Sequence, residues 1–121
     1  MKNVLVIEDN DSLRQDISAL LSLEGYKTSQ AKNGEEGLEI IKDNSFDLIL
    51  CDIMMPGVDG FEVFASLRKN ALTLNIPFIF LTALASDEFI NKISEFEFTA
   101  YLRKPFQAEE LLRLVKKSTE K

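Results

Sequence analysis

The chain has no histidine and only one cysteine, and each scarcity removes a class of chemistry. Without histidine it lacks the commonest metal ligand, the usual general base and any histidine nucleophile of its own. The lone Cys51 cannot close an internal disulfide. Inside the run Leu48-Ile49-Leu50-Cys51 it reads as a small buried hydrophobe, and a reducing cytoplasm is the expected setting. With three prolines and five glycines, the chain shows no linker, repeat or low-complexity tract. No apolar run approaches the roughly 18 residues of a membrane span, and Met1-Lys2-Asn3 leads straight into a strand pattern without a signal-peptide core, so a soluble protein is expected. Basic residues are also in the minority, 14 against 20 acidic, and never run longer than pairs such as Arg68-Lys69. A cationic footprint for direct nucleic-acid binding is therefore not expected.

What is present reads as a single domain over residues 1–121, with 45% hydrophobic and 28% charged residues. A chain of this length buries roughly two-thirds of its unfolded surface without staples. Strand-like runs recur at 3–7, 26–31, 48–51, 77–81 and 99–103, each followed by helical spacing, which predicts α/β units and a parallel sheet. The first, third and fourth runs are almost wholly apolar, as central strands covered on both faces should be. The more polar run at 26–31 predicts an edge. Ser12 with Gln15 is read as the cap of the first helix, whose Leu13, Ile17, Leu20 and Leu21 form a stripe before Gly25 stops it. Asn33 with Glu36, Asp59 with Glu62, and Ser86 open the next three helices. Their core positions are Leu38 and Ile41, then Phe64 and Leu67, then the stripe Phe89, Ile93 and Phe96. A fifth helix from about Ala108 buries Leu111, Leu112 and Val115, and right-handed crossovers put helices on both faces.

Polar residues sit where the strand runs stop: Glu8-Asp9, Asp52, Thr82 and Lys104. Singly, these read as a solvated strand end, a turn residue, a strand threonine and a surface lysine. Ligands of open α/β sheets, however, bind outside the carboxyl ends of the strands, so the four pieces converge. Three carboxylates held together repel unless a cation or proton neutralises them. An oxygen-only set suits Mg²⁺ or another hard divalent cation such as Mn²⁺, which leaves positions for water and a phosphoryl group. Asp52 then qualifies as a nucleophile toward phosphorus, Lys104 as a positive charge and Thr82 as a hydroxyl donor for the phosphoryl oxygens.

Val-Ile-Glu8-Asp9, Leu-Cys-Asp52-Ile-Met-Met-Pro56-Gly57-Val-Asp59-Gly60, Phe-Leu-Thr82-Ala83 and Tyr101-Leu-Arg-Lys104-Pro105-Phe106 closely resemble the response-regulator receiver domain of two-component signalling, over about residues 2–118. The resemblance implies a flavodoxin-like sheet in the order 2-1-3-4-5. It implies that Asp52 accepts a phosphoryl group from the phosphohistidine of a histidine kinase or phosphotransfer protein, so that the chain is a phosphoprotein switch and not an enzyme. It further implies Mg²⁺ held by Glu8, Asp9, Asp52 and the Met54 backbone carbonyl, switch positions at Thr82 and Tyr101, and a phosphate-sensing Lys104 on a cis Lys104-Pro105 bond. The signal would leave through the fourth helix, fifth strand and fifth helix, toward a downstream protein or a fused output domain. A phosphorylation-dependent dimer stays open.

The chain departs from the family pattern at three places. Glu97 and Phe98 replace a Gly-Ala pair before the fifth strand, which bears on the output face. Gln107 stands where Asp or Ser would cap better. Glu8 replaces the common Asp and lengthens the reach to metal. The positions two residues after Asp52 and Thr82, which in the resembled family influence the approach of hydrolytic water, are Met54 and Leu84; both are bulky and cannot orient a water, so the resemblance implies a long-lived phosphorylated form. A phosphorylation-independent binding module and a flavin or dinucleotide binder are the competing readings. The second lacks a phosphate loop, because Glu8-Asp9-Asn10-Asp11 would repel phosphate. The segment 116–121 reads equally as a frayed tail or the start of a linker.

Overall fold

The computed structural model describes residues 1–83, 86–96 and 99–120. Strands β1 (Asn3–Ile7), β2 (Lys27–Ala31), β3 (Leu48–Asp52), β4 (Phe78–Thr82) and β5 (Thr99–Arg103) alternate with helices α1 (Asp11–Leu23), α2 (Gly34–Asp43), α3 (Gly60–Arg68), α4 (Asp87–Ser94) and α5 (Ala108–Thr119). All strand pairs are parallel and the order is β2-β1-β3-β4-β5, the flavodoxin-like arrangement.

Burial explains the order. Every residue of β3 and β4 is buried, as is all of β1 after Asn3, whereas β2 carries the exposed Lys27 and Gln30 and lies at an edge. Alternation along the strands splits the core in two. Leu5, Ile7, Ile49, Cys51, Phe78 and Phe80 face the helices α2, α3 and α4, where Ile41, Phe64, Leu67 and Ile93 meet them. Val4, Val6, Leu48, Leu50, Ile79 and Leu81 face Ile17 and Leu21 of α1 and Leu111 and Val115 of α5. Each such side chain contributes about 1.5–3 kcal/mol when fully buried, and this drives helices onto both faces. Leu38 and Leu112, expected in the core, pack partly buried against it. No helix among the described residues is long and apolar enough to cross a membrane.

The helix ends are chemically specified. Gly25, at φ +91°, follows α1, with its N–H bonded to the Ser22 carbonyl and the Tyr26 N–H bonded to the Leu21 carbonyl, a Schellman stop. Asn33, Asp59 and Ser86 accept from the backbone N–H groups of Glu36, Glu62 and Phe89, as their spacing predicts. The α1 cap differs from expectation: Asn10, not Ser12, accepts from the Leu13 N–H at 3.0 Å, and the helix begins at Asp11. At α5 the Gln107 N–H is held by the Glu110 carboxylate at 3.1 Å. Phe96 also departs from the expected stripe: α4 ends at Ser94, and Phe96, 42% exposed as a residue, places its ring 5.1 Å from that of Phe64. Leu84, expected to keep hydrolytic water away, and Glu97 and Phe98, expected to alter the output face, lie outside the described residues.

Candidate functional site

The acidic cluster is built by two adjacent central strands. β1 ends at Ile7 and β3 ends at Asp52, with Ile7 level with Cys51, so Glu8 and Asp52 leave the sheet edge side by side. One oxygen from each of Glu8, Asp9 and Asp52 lies within 4.8 Å of the others. Glu8 is fully buried, Asp52 is 6% exposed and Asp9 faces solvent. Nothing but oxygen donors is offered, and three carboxylates at this separation form a set that a hard cation fits.

Lys104 arrives from the far side of the sheet. Its backbone N–H donates to the Thr82 carbonyl at 2.7 Å, and the Lys104-Pro105 peptide is cis, as the family resemblance implies. The ammonium donates to Glu8 Oε1 at 2.7 Å and stands 3.2 Å from Asp52 Oδ2. The second Glu8 oxygen accepts from the Asn10 N–H at 3.2 Å, so both of its oxygens are engaged.

Among the described residues one ammonium meets three acids, which leaves the cluster short of positive charge. Burial pushes the Glu8 carboxyl up to about 7; the Lys104 hydrogen bond works against this, while Asp9 and Asp52 add to it. Burial alone would lower the Lys104 ammonium, but its bond to Glu8 and the Asp52 charge prevail and raise it. The Cys51 thiol beneath is pushed well above its ordinary value by burial and by the Asp52 and Glu8 charges, which makes it unreactive. The site therefore gains from any added positive charge, an observation that fits the implied metal.

Thr82 is buried at the end of β4. Tyr101 is half-buried on β5 opposite Phe80, and strand alternation puts Thr82, Phe80 and Tyr101 on one face. The Tyr101 ring packs edge-on against Phe89 of α4 at 6.1 Å. Met54 follows Asp52 in the loop with its residue surface 65% exposed.

Three positioning residues escaped the sequence reading. Asn10 caps α1 and binds Glu8 at once. Arg14 donates to the Glu8 carbonyl at 2.9 Å while gripping Asp11 at 2.7 Å and Gln30 at 3.2 Å, so it ties the end of β1 to α1 and β2. Gly60, at the start of α3, donates to the Ile53 carbonyl at 2.9 Å, and a Cβ there would lie 2.5 Å from the Asp52 carbonyl oxygen. Only glycine lets α3 approach the Asp52 strand end this closely. An asparagine directly before the first helical turn was a usable signal, whereas the contacts of Arg14 and Gly60 depend on tertiary placement.

Comparison with known proteins agrees with this geometry. A family model described as the response regulator receiver domain matches residues 4–116. The phosphate regulon transcriptional regulatory protein PhoB of Pseudomonas aeruginosa is 37% identical over 117 residues, covering 95% of this chain and 50% of that protein. The probable transcriptional regulator ycf27 of Cyanidium caldarium is 40% identical over 111 residues, covering 90% and 43% respectively. The chain thus spans about half the length of these curated relatives. Among solved structures, Vibrio cholerae chemotaxis protein CheY4 superposes with a TM-score of 0.91 at 32% identity, covering 98% of each chain. The Thermotoga maritima response regulator TrrA, in complex with Mg²⁺-BeF, gives 0.84 at 34% identity, covering 98% of this chain and 99% of that one.

Proposed function

From the premise that the chain belongs to the response regulator receiver domain family, we propose that it is a phosphorylation switch whose acceptor is Asp52. The observation that carries this reading is the single ammonium of Lys104 between Glu8 and Asp52, at 2.7 and 3.2 Å, beside three converging carboxylates. An Asp52 carboxylate oxygen forms a bond to phosphorus as the P–N bond of a partner's phosphohistidine breaks, and the electron pair leaves on the imidazole. The donor is a histidine kinase or a histidine phosphotransfer protein. The chain is the acceptor in this step and turns over no substrate of its own.

Glu8, Asp9, Asp52 and the Met54 backbone carbonyl would hold Mg²⁺ or Mn²⁺, which supplies charge neutralisation for the phosphoryl oxygens. Lys104 keeps Asp52 oriented before transfer, and afterwards offers the phosphoryl group a charge-assisted hydrogen bond. The new group adds up to about two negative charges and strong acceptors, and these draw the Thr82 hydroxyl and the following loop inward. Tyr101, packed on Phe89 between β5 and α4, responds by moving toward the vacated space. The surface of α4, β5 and α5 is the two-state element that a downstream protein or output domain reads. The setting is the cytoplasm, and the buried free thiol of Cys51 is compatible with it.

The test is intact mass after incubation with acetyl phosphate and Mg²⁺. The parent should gain one phosphoryl group and Asp52→Asn none. An equal gain in the variant, or no gain in a folded parent, would overturn the assignment and favour a phosphorylation-independent binding module.

A further inference from the structure

Away from the acidic cluster, the surface between α3 and α4 opens into a groove of about 750 Å³, within the range of ligand sites. Phe61, Phe64 and Phe96 line its apolar part. Its charged lining is Arg68, Lys69 and Lys92 against Glu95 alone, in a chain whose acidic residues outnumber basic ones 20 to 14. None of the three cations forms an ion pair with a described residue. Two of them lie over the aromatic rings, with the Arg68 guanidinium carbon 4.5 Å from the Phe64 centroid and Lys92 Nζ 4.6 Å from that of Phe61.

Arg68 adds an independent sign. Its Nη1 donates to the Ile76 carbonyl at 3.1 Å, but Nη2 is buried without a hydrogen-bond partner. A buried, unsatisfied donor on a charged group is costly, and a carboxylate entering the groove would relieve it after a small side-chain shift. Burial also lowers the guanidinium pKa.

We propose that the groove between α3 and α4 docks an acidic peptide segment of a partner protein, with one aromatic side chain of the peptide against the exposed Phe96, beside the cations that cover Phe61 and Phe64, and its carboxylates on Arg68, Lys69 and Lys92. The aromatic floor and cationic rim are complementary to that chemistry and would repel a basic segment. This surface lies on the α3 side of α4, while the switch surface proposed above runs from α4 toward β5. Docking here therefore needs no phosphoryl group.

The test uses the 121-residue chain without phosphodonor, and a fluorescein-labelled peptide of alternating Glu and Asp with one central Phe. Anisotropy should show saturable binding that weakens at least about tenfold, or roughly 1.4 kcal/mol, in the charge-reversal variant Lys69→Glu/Lys92→Glu. Both positions are exposed and outside the phosphorylation machinery. Amide shifts on binding should centre on Phe61, Ala65 and Lys92. Replacing the peptide's Phe by Ala, or its acids by Gln and Asn, should each reduce binding. No binding by the folded parent, equal binding by the variant, or shifts centred elsewhere would overturn the proposal. Binding of ATP, but not the peptide, at the same residues would overturn it in favour of a small aromatic anion.

Discussion

Replacing Glu8 by Gln tests the electrostatic logic of the site without touching the acceptor. Glu8 is fully buried, and its carboxyl is pushed from an ordinary 4.5 up to about 7. The folded state therefore holds a proton between those values that the unfolded chain has released. The stabilisation is fully present below about 4.5 and is lost as pH rises through about 7. At about 1.4 kcal/mol per pH unit, the interval corresponds to about 3 kcal/mol, or roughly 10 °C in Tm for a domain of this size. Lys104, whose pKa rises above 10.5, stays charged throughout and leaves the slope unchanged. Denaturant unfolding with EDTA at pH 5, 6, 7 and 8 should show the parent losing stability relative to Glu8→Gln as pH rises. Carboxylates remote from the site are common to both proteins and cancel in the difference. With saturating Mg²⁺, which selects ionised ligands, the parent should lose much less. A parent-minus-variant difference that stays flat over this range, or grows with pH in EDTA, would refute the reasoning.

Further outcomes follow from individual contacts. Mg²⁺ should raise the Tm of the unphosphorylated protein by binding the native state, and Asp9→Ala should lose most of that rise in a thermal titration; a parent insensitive to Mg²⁺ would remove the metal site. Gly60→Ala puts a Cβ 2.5 Å from the Asp52 carbonyl oxygen and 2.8 Å from Ile53 Cα. It should cost about 1–3 kcal/mol in denaturant unfolding and slow phosphorylation, since backbone must move. Met54→Asn offers a polar side chain next to the acceptor and should speed dephosphorylation, measured as the decay of the phosphorylated mass; unchanged or slower decay counts against a water-excluding role for Met54.

The outline of the fold is visible in the sequence because its strongest signals are local. Leu48-Ile49-Leu50-Cys51 and Phe78-Ile79-Phe80-Leu81 are too apolar for anything but doubly covered strands, and Asn33, Asp59 and Ser86 each sit three residues before the amide they cap. Two overlapping capping signals compete near α1. Asn10 prevails over Ser12 because its side chain holds Leu13 while its N–H holds Glu8, a tie to the site that spacing alone does not express. Phe96 obeys helical spacing yet lies beyond the end of α4, where its ring turns toward Phe64. Convergence of the strand ends makes the acidic cluster predictable. The strand order needs tertiary information, which family resemblance provided; the pairing of Glu8 with Lys104, 96 positions apart, is written neither in local spacing nor in that resemblance.

The most direct test of the central claim is chemical location of the phosphoryl group. After reaction with acetyl phosphate and Mg²⁺, borohydride reduces an acyl phosphate to the alcohol, so peptide sequencing reveals homoserine where an aspartyl acceptor stood and 5-hydroxynorvaline where a glutamyl one did. The account predicts homoserine in place of Asp52 and nowhere else. Reduction at Glu8, Asp9 or Asp59, or no reduced residue in protein shown to carry the phosphoryl mass, would contradict it.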